Sequence, residues 1–249
     1  MIKLARFFVQ ADQIDDGIVR ITGDDAHHIA RVLRMTPGDE IECVGADELV
    51  HLVRILQLGP PVEGLILDSQ ERSSESPLRL TLFQGLAKGD KMDLVIQKAV
   101  ELGVGEIIPF TSRYSVVKLD EKQAQKRKKR WDRIAMSAAK QSGRTRLPLI
   151  RKLHGFEDLI VHVKKRTGEG ELTLLAYEGE RENRLKNLTE SLTAVSAIVG
   201  PEGGFARQEV TMLEEAGAMV CTLGPRILRT ETAGLVMLSL LGYKWGDLG

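Results

Sequence analysis

The chain has 249 residues, with 35 basic and 35 acidic side chains, 43% apolar and 4% aromatic content, 24 Gly and 8 Pro. These proportions exclude a disordered or collagen-like protein, and no run approaches the roughly 20 unbroken apolar residues of a membrane helix. The length is that of one large domain or two modest ones. Cys43 and Cys221 stand far apart without CxxC or His-paired spacing. Neither a disulfide framework nor a zinc site is expected, and a reducing, cytoplasmic setting follows. The N-terminal stretch from Met1 to Val9 holds no apolar run long enough for a signal peptide.

The balanced charge conceals an asymmetry. Up to Arg72, seven basic side chains face thirteen acidic ones, whereas the remainder carries 28 basic and 22 acidic. Twelve of those bases lie between Lys122 and Lys152 against a single acid, Asp132. A basic block on a neutral protein is the footprint of a polyanion partner, nucleic acid first among them. Lys126 to Arg130 taken alone reads equally well as a solvated helix face. The continuation into Ser142-Gly143-Arg144-Thr145-Arg146, a loop-like segment whose arginines could fork onto phosphate, favours RNA.

In chain order, residues 1 to about 70 alternate short apolar runs with turn residues. Examples are Ile18-Val19-Arg20-Ile21 and Glu40-Ile41-Glu42-Cys43-Val44, then Leu49 to Leu56 and Gly64 to Leu67. This spacing predicts a small β-barrel or sandwich. One helix interrupts it, with Asp24 or Asp25 as N-cap and Ile29, Val32 and Leu33 on one face. Glu71 to Pro77 reads as a polar linker, which divides the chain into domains 1–72 and 73–249.

Beyond the linker the rhythm becomes strand, helix, strand. Leu78 to Phe83 is a strand; Met92, Val95, Ile96, Ala99 and Val100 recur at helical spacing and stop at Gly103. Glu106 to Phe110 is a short strand whose Pro109 belongs near an edge or a strand end. A long basic helix runs from about Glu121 to Ser142. Leu172 to Ala176, Ala197 to Val199 and Met219 to Leu223 are further strands, and a last helix spans about Glu231 to Tyr243. Such alternation predicts an α/β fold with a mainly parallel sheet covered on both faces. The last helix is apolar on more than one face, more than a surface helix needs.

Two glycine turns close late strands: Gly200-Pro201-Glu202-Gly203-Gly204-Phe205 and Leu223-Gly224-Pro225. Parallel sheets bind ligands at the carboxyl ends of their strands, and glycine lets backbone approach a ligand closely. Neither these turns nor Gly103-Val104-Gly105 has the dinucleotide spacing, and Gly85 to Lys91 lacks the serine or threonine of a phosphate loop. A kinase or NAD enzyme is disfavoured. After the second turn come Arg226-Ile227-Leu228-Arg229-Thr230-Glu231-Thr232-Ala233, two arginines among them with an acid and two hydroxyls at the head of an apolar helix. Thr230 could equally be an N-cap, with Glu231 favoured there by the helix dipole. His27-His28 reads as helix surface or barrel packing, with no third ligand nearby, so no metal is expected.

The run Ile198 to Phe205 together with Leu223 to Ala233 resembles the RsmE family, ribosomal RNA uridine-N3 methyltransferases of the SPOUT, or trefoil-knot, superfamily. Lys88 to Met92, Lys98 to Gly103, Arg113 to Val117 and Gln141 to Arg144 are similar to its central motifs. His28 to Arg34 and Gly38-Asp39 are similar to its PUA-like barrel. Lys140 departs from the pattern, where an acidic residue is expected before Gln141.

The resemblance implies a PUA-like β-barrel followed by a parallel-sheet SPOUT domain with a deep trefoil knot, a homodimer, and S-adenosylmethionine as methyl donor. Carried onto this chain, the donor would lie against Val199, Gly200, Pro201, Glu202, Gly203, Leu223, Gly224, Leu228, Thr230, Thr232 and Ala233. Arg6, Arg31, Arg34, Lys128, Lys129, Arg130, Arg144 and Arg146 would hold ribosomal RNA. Uridine N3 carries a weakly acidic proton, for which Glu231 is the nearest base; Arg229 could stabilise charge on the carbonyl oxygens or clamp a phosphate. A non-catalytic RNA-binding assembly protein, or a SPOUT methyltransferase for another RNA base, is the alternative.

Overall fold

The computed structural model describes residues 4–189 and 191–249, so the first three residues of the N-terminal stretch lie outside it. The chain forms two compact units. One holds the residues up to Glu75 together with Ala139–Arg146; the other holds Ser76–Ala138 and Leu147–Gly249.

The first unit is a curled six-stranded sheet. Its strands are β1 (Arg6–Phe8), β2 (Ile14–Asp15), β3 (Ile18–Ile21), β4 (Glu40–Val44), β5 (Val50–Gln57) and β6 (Val62–Gln70), in the order β1-β4-β5-β6-β3-β2. Every pairing is antiparallel except β1 with β4. Alternate residues turn inward, so Phe7, Val19, Ile21, Ile41, Cys43, Val53 and Ile55 share one core.

The expected helix is present but starts and packs differently. α1 (Gly23–His27) has Thr22 at its N-cap position, without a side-chain capping bond, and Asp24 and Asp25 inside the first turn, and it runs on into a π turn over His28–Val32. Ile29 is fully buried, whereas Val32 and Leu33 are exposed. The wider repeat of the π turn carries the later residues off the face that α-helical spacing assigns them.

The second unit is an all-parallel sheet covered by helices on both faces. Its elements are β7 (Arg79–Gly85), α2 (Lys91–Glu101), β8 (Glu106–Phe110), α3 (Glu121–Ser142), β9 (Leu149–Ile150), α4 (Phe156–Gly168), β10 (Leu172–Ala176), β11 (Ala194–Val199), α5 (Arg207–Glu215), β12 (Met219–Cys221) and α6 (Thr230–Trp245). The strand order is β12-β10-β11-β7-β8-β9. α3 ends in the first unit, to which Ala139–Arg146 belong.

Register explains both faces. Leu175, Ile198, Phe83 and Ile108 form one cross-sheet row and pack under α4 and α5, with Leu159, Val163, Val210 and Leu213. The next row, Leu174, Ala197, Leu82 and Ile107, is displaced by one residue and so turns to the other face. α6 packs there beside α2 and against β7 and β11. Its Ala233, Met237, Leu238 and Leu241 are thereby covered within the chain, while Leu240 and Tyr243 stay exposed. Pro109 lies past the two-residue β9, near the end of β8, as its missing N–H requires. No helix among the described residues is long and apolar enough to cross a membrane.

Candidate active site

β10, β11 and β12 lie side by side and point the same way, so their C-terminal ends release three loops at one edge of the sheet. The loop after β11 is the first glycine turn. It passes so close to the end of β7 that a Cβ on Gly85 would sit 2.2 Å from the Pro201 nitrogen. Gly204 adopts φ +67, a conformation that side-chain-bearing residues rarely take. The Arg113 to Val117 stretch covers this turn: the Arg113 amide donates to Glu209 at 2.8 Å, and Tyr114 lies against Gly203.

Thr230 ties the loops together. Its hydroxyl donates to the Gly200 carbonyl at 2.5 Å and accepts from the Gln84 amide at 2.8 Å, both buried. The N-cap of α6 is Arg229, with Thr230 the first residue of the helix. The side chain of Thr230 therefore serves a tertiary bond between β7, the glycine turn and α6, in place of the cap that local pattern allows.

A cavity of about 420 Å³ opens between these loops. Val199 to Gly203, Leu228, Thr230 and Ala233 line it, with Arg229 at its edge. A smaller recess of about 80 Å³ adjoins it, where Leu223 and Gly224 appear with Thr222 and Tyr177. Thr232 is exposed and lines neither. Gly204, Phe205 and Ile227, which lie in the two stretches singled out from sequence, also line the larger cavity, as do Lys91, Ala176 and Glu178, which sequence had not assigned to the donor site. The strand end at Ala176 was the available signal for Glu178, and for Lys91 it was the likeness of Lys88 to Met92 to a central motif of the family.

Charge at this site is organised around Lys91. Its ammonium lies 3.4 Å from Glu202 and 3.3 Å from Glu231. Burial works to raise the Glu202 pKa, but the Lys88 amide at 2.9 Å and the Lys91 ammonium outweigh it and hold the carboxyl below the usual glutamate value. Glu231 is largely buried, its side chain 15% exposed, and its Oε2 receives no hydrogen bond among the described residues. Arg229 is exposed.

The residues expected to hold RNA divide into engaged and open ones. Arg144 is buried and its guanidinium forks onto Glu75 at 2.5 Å, so it is not presented to a phosphate. Arg6 pairs with Glu42 at 2.7 Å and also donates to the Gly143 carbonyl. Arg146 pairs with Glu48, Lys128 with Asp132, and Arg130 with Asp90 and Asp93. Arg31, Arg34 and Lys129 are exposed. Along α3, Lys126, Arg127, Lys129 and Arg133 border a groove of about 1080 Å³ facing Val116 to Leu119. Lys140 serves the first unit, 2.6 Å from Asp25 and over the Phe7 ring. Among the described residues no group of three or more His, Cys, Asp or Glu side chains could hold a metal ion.

Residues 74–242 match the RNA methyltransferase domain and residues 21–59 the RNA methyltransferase PUA domain. The ribosomal RNA small subunit methyltransferase E of Bacillus subtilis is 36% identical over 97% of each chain. This chain belongs to that methyltransferase family. The resemblance read from the glycine turns and the head of α6 therefore holds across nearly the whole chain. The Neisseria gonorrhoeae ribosomal RNA small subunit methyltransferase E, solved bound to S-adenosyl methionine, shares 34% identity over 99% of this chain and 100% of that one, with a TM-score of 0.88. A Legionella pneumophila methyltransferase in complex with the same cofactor shares 29% identity over 99% and 100%, with a TM-score of 0.90. Within the family fold, the curled first sheet is the PUA-type unit and the all-parallel sheet is the methyltransferase unit.

Proposed function

We propose that this protein transfers a methyl group from S-adenosylmethionine to N3 of a uridine in small-subunit ribosomal RNA. The observation that carries the reading is the cavity at the strand ends, with a largely buried carboxylate beside it. Its residues fit an adenosine-type donor. The cavity falls in the size range of small-molecule sites, and glycine, alanine and proline leave backbone amides and carbonyls within reach of a base and ribose. Val199, Leu228 and Ile227 offer apolar contact, and Glu178 and Glu202 supply negative charge toward a cationic ligand. The bound donor supplies an activated methyl group on a sulfonium centre.

The chain's own part is positioning, charge and proton removal. Glu231 accepts the N3 proton; its Oε2 lies 3.3 Å from the Lys91 ammonium and receives no hydrogen bond among the described residues. Arg229, exposed at the cavity edge, stabilises negative charge spread over the uracil carbonyl oxygens. Arg31 and Arg34 in the first unit, and Lys126, Arg127, Lys129 and Arg133 along α3, are the bases open to phosphate. The strand order supports the trefoil knot implied by the resemblance, because β11 fills the place between β7 and β10 after both are laid down. A second copy of the chain is the expected cover for the outer face of α6, where Leu240 and Tyr243 are exposed.

Mass mapping of small-subunit ribosomal RNA after reaction with labelled donor is expected to find the methyl on uridine N3. Glu231→Gln should keep donor binding and lower the single-turnover rate by about a hundredfold or more. A methyl on another base would overturn the substrate assignment, and an unimpaired Glu231→Gln enzyme would remove the carboxylate from the chemistry.

A further inference from the structure

Lys91 joins two carboxylates that arrive from distant parts of the chain. It is the first residue of α2, Glu202 lies in the turn after β11, and Glu231 stands in the first turn of α6. The ammonium is 3.4 Å from one and 3.3 Å from the other, in a cavity wall where its side chain is one-third exposed. The two acids are not equivalent. Glu202 also accepts the Lys88 amide at 2.9 Å, whereas Glu231 Oε2 has no hydrogen-bond donor among the described residues. The ammonium is thus the nearest charge compensation that Glu231 has, while Glu202 has a second anchor.

We propose that Lys91 is a positioning residue for methyl transfer, a counter-charge shared by Glu231 and Glu202 that keeps Glu231 ionised until it takes the proton. This rests on Glu231 being the base. Before the step, one ammonium faces two carboxylates. During it, the N3–H bond breaks and its proton passes to a Glu231 oxygen. The N3 electron pair forms the new N–CH₃ bond, and the pair of the S–CH₃ bond stays with sulfur. Glu231 is then neutral, and Lys91 remains paired one-to-one with Glu202. The lysine needs no new partner.

The charged groups around Lys91 set the direction of the test. Lys91 pairs with Glu231 and Glu202, and Arg229 and Glu178 line the same cavity as the lysine. Losing the cation leaves the acids to repel one another, so protonation of Glu231 becomes easier. Lys91→Met should move the acid limb of the single-turnover pH profile upward by about one to three pH units. Lys91→Arg restores a cation and should return the limb toward its original place.

A second readout needs no turnover. In the donor-free protein, isotope-edited infrared spectroscopy of labelled glutamates should show a protonated-carboxyl band growing in at higher pH in Lys91→Met than in the parent. That difference should shrink when Glu231→Gln is also present, leaving only the rise that Glu202 shows on losing the same ammonium. Calorimetric donor affinity and the melting temperature at neutral pH separate these effects from a lost fold. If Glu231→Gln is slow yet Lys91→Met leaves both the acid limb and the infrared titration unmoved, the lysine is only a structural strap and the inference is overturned. If Glu231→Gln itself turns over at the parent rate, the base assignment fails first and this inference falls with it.

Discussion

The Glu75 side chain is only 9% exposed. Desolvation does push its pKa up, but the Arg144 hydrogen bonds and charge, with the backbone amides of Arg146 and Thr145, outweigh it and hold the carboxyl below the usual glutamate value. The two amides donate at 3.0 and 2.9 Å, so the carboxylate is saturated. Removing one partner of such a pair leaves a buried charge behind, and Glu75→Ala should cost about 3 to 5 kcal/mol by chemical denaturation. The sign with pH follows from the lowered pKa. The contribution is complete above the unfolded glutamate value of about 4.3 and is lost as pH falls through the lower folded-state value. Glu75→Gln should therefore flatten the acid limb of the stability curve, and an unchanged curve would show that Arg144 pairs without stabilising. The same pair corrects the reading of Arg144 as a phosphate ligand. A guanidinium in sequence announces a charge but not which carboxylate answers it.

At the scale of elements, α3 shows what helical periodicity can and cannot reveal. Its bounds, Glu121–Ser142, match the stretch expected from sequence, and Trp131, Ala135, Ala138 and Ala139 form its buried stripe. The remaining faces carry the bases, but they are unequally available. Lys128 closes on Asp132 one turn away at 2.7 Å, and Arg130 is held by Asp90 and Asp93. Lys126, Arg127 and Lys129 border the wide groove, as does the paired Arg130. Neutralising those three should weaken RNA binding and reduce the log–log salt slope by about 0.7 to 0.9 for each phosphate no longer neutralised. Neutralising Lys128 and Arg130 should change the slope less. Binding titrations across salt concentrations, with donor affinity as the control, decide between them. Equal slopes for all variants would place the RNA elsewhere.

For the whole molecule, the open question is how α6 is covered on its outer side. The face built by Ala233, Met237, Leu238 and Leu241 lies against the chain's own sheet and α2. That accounts for much of the helix's apolar excess without a partner. Val236, Leu240 and Tyr243 recur at helical spacing on the opposite side, with Tyr243 74% exposed. A symmetric pairing through this stripe would bury it, since an isologous interface uses the same patch twice. Sedimentation at micromolar concentration should find a dimer for the parent chain, and Tyr243→Glu with Leu240→Glu should shift it to monomer without lowering secondary-structure content. A monomeric parent would assign the stripe to solvent.

Much of the fold was legible because it is local. Met92, Val95, Ile96, Ala99 and Val100 recur at helical spacing and are all fully buried. The glycine turns were legible for a related reason: positive φ and close backbone approach restrict residue choice at single positions, as at Gly204 and Gly85. Sequence by itself therefore determined most of the longer helices and strands, the family, and the loops that build the cavity. Tertiary structure alone decided the strand order, the return of Ala139–Arg146 to the first unit, and the use of Thr230 as a tie instead of a cap. It also decided that Lys91, rather than a neighbour in sequence, stands beside Glu231. The reason is physical: a charge or hydroxyl satisfies itself through space, and its partner is whichever group the folded backbone delivers within a few ångströms.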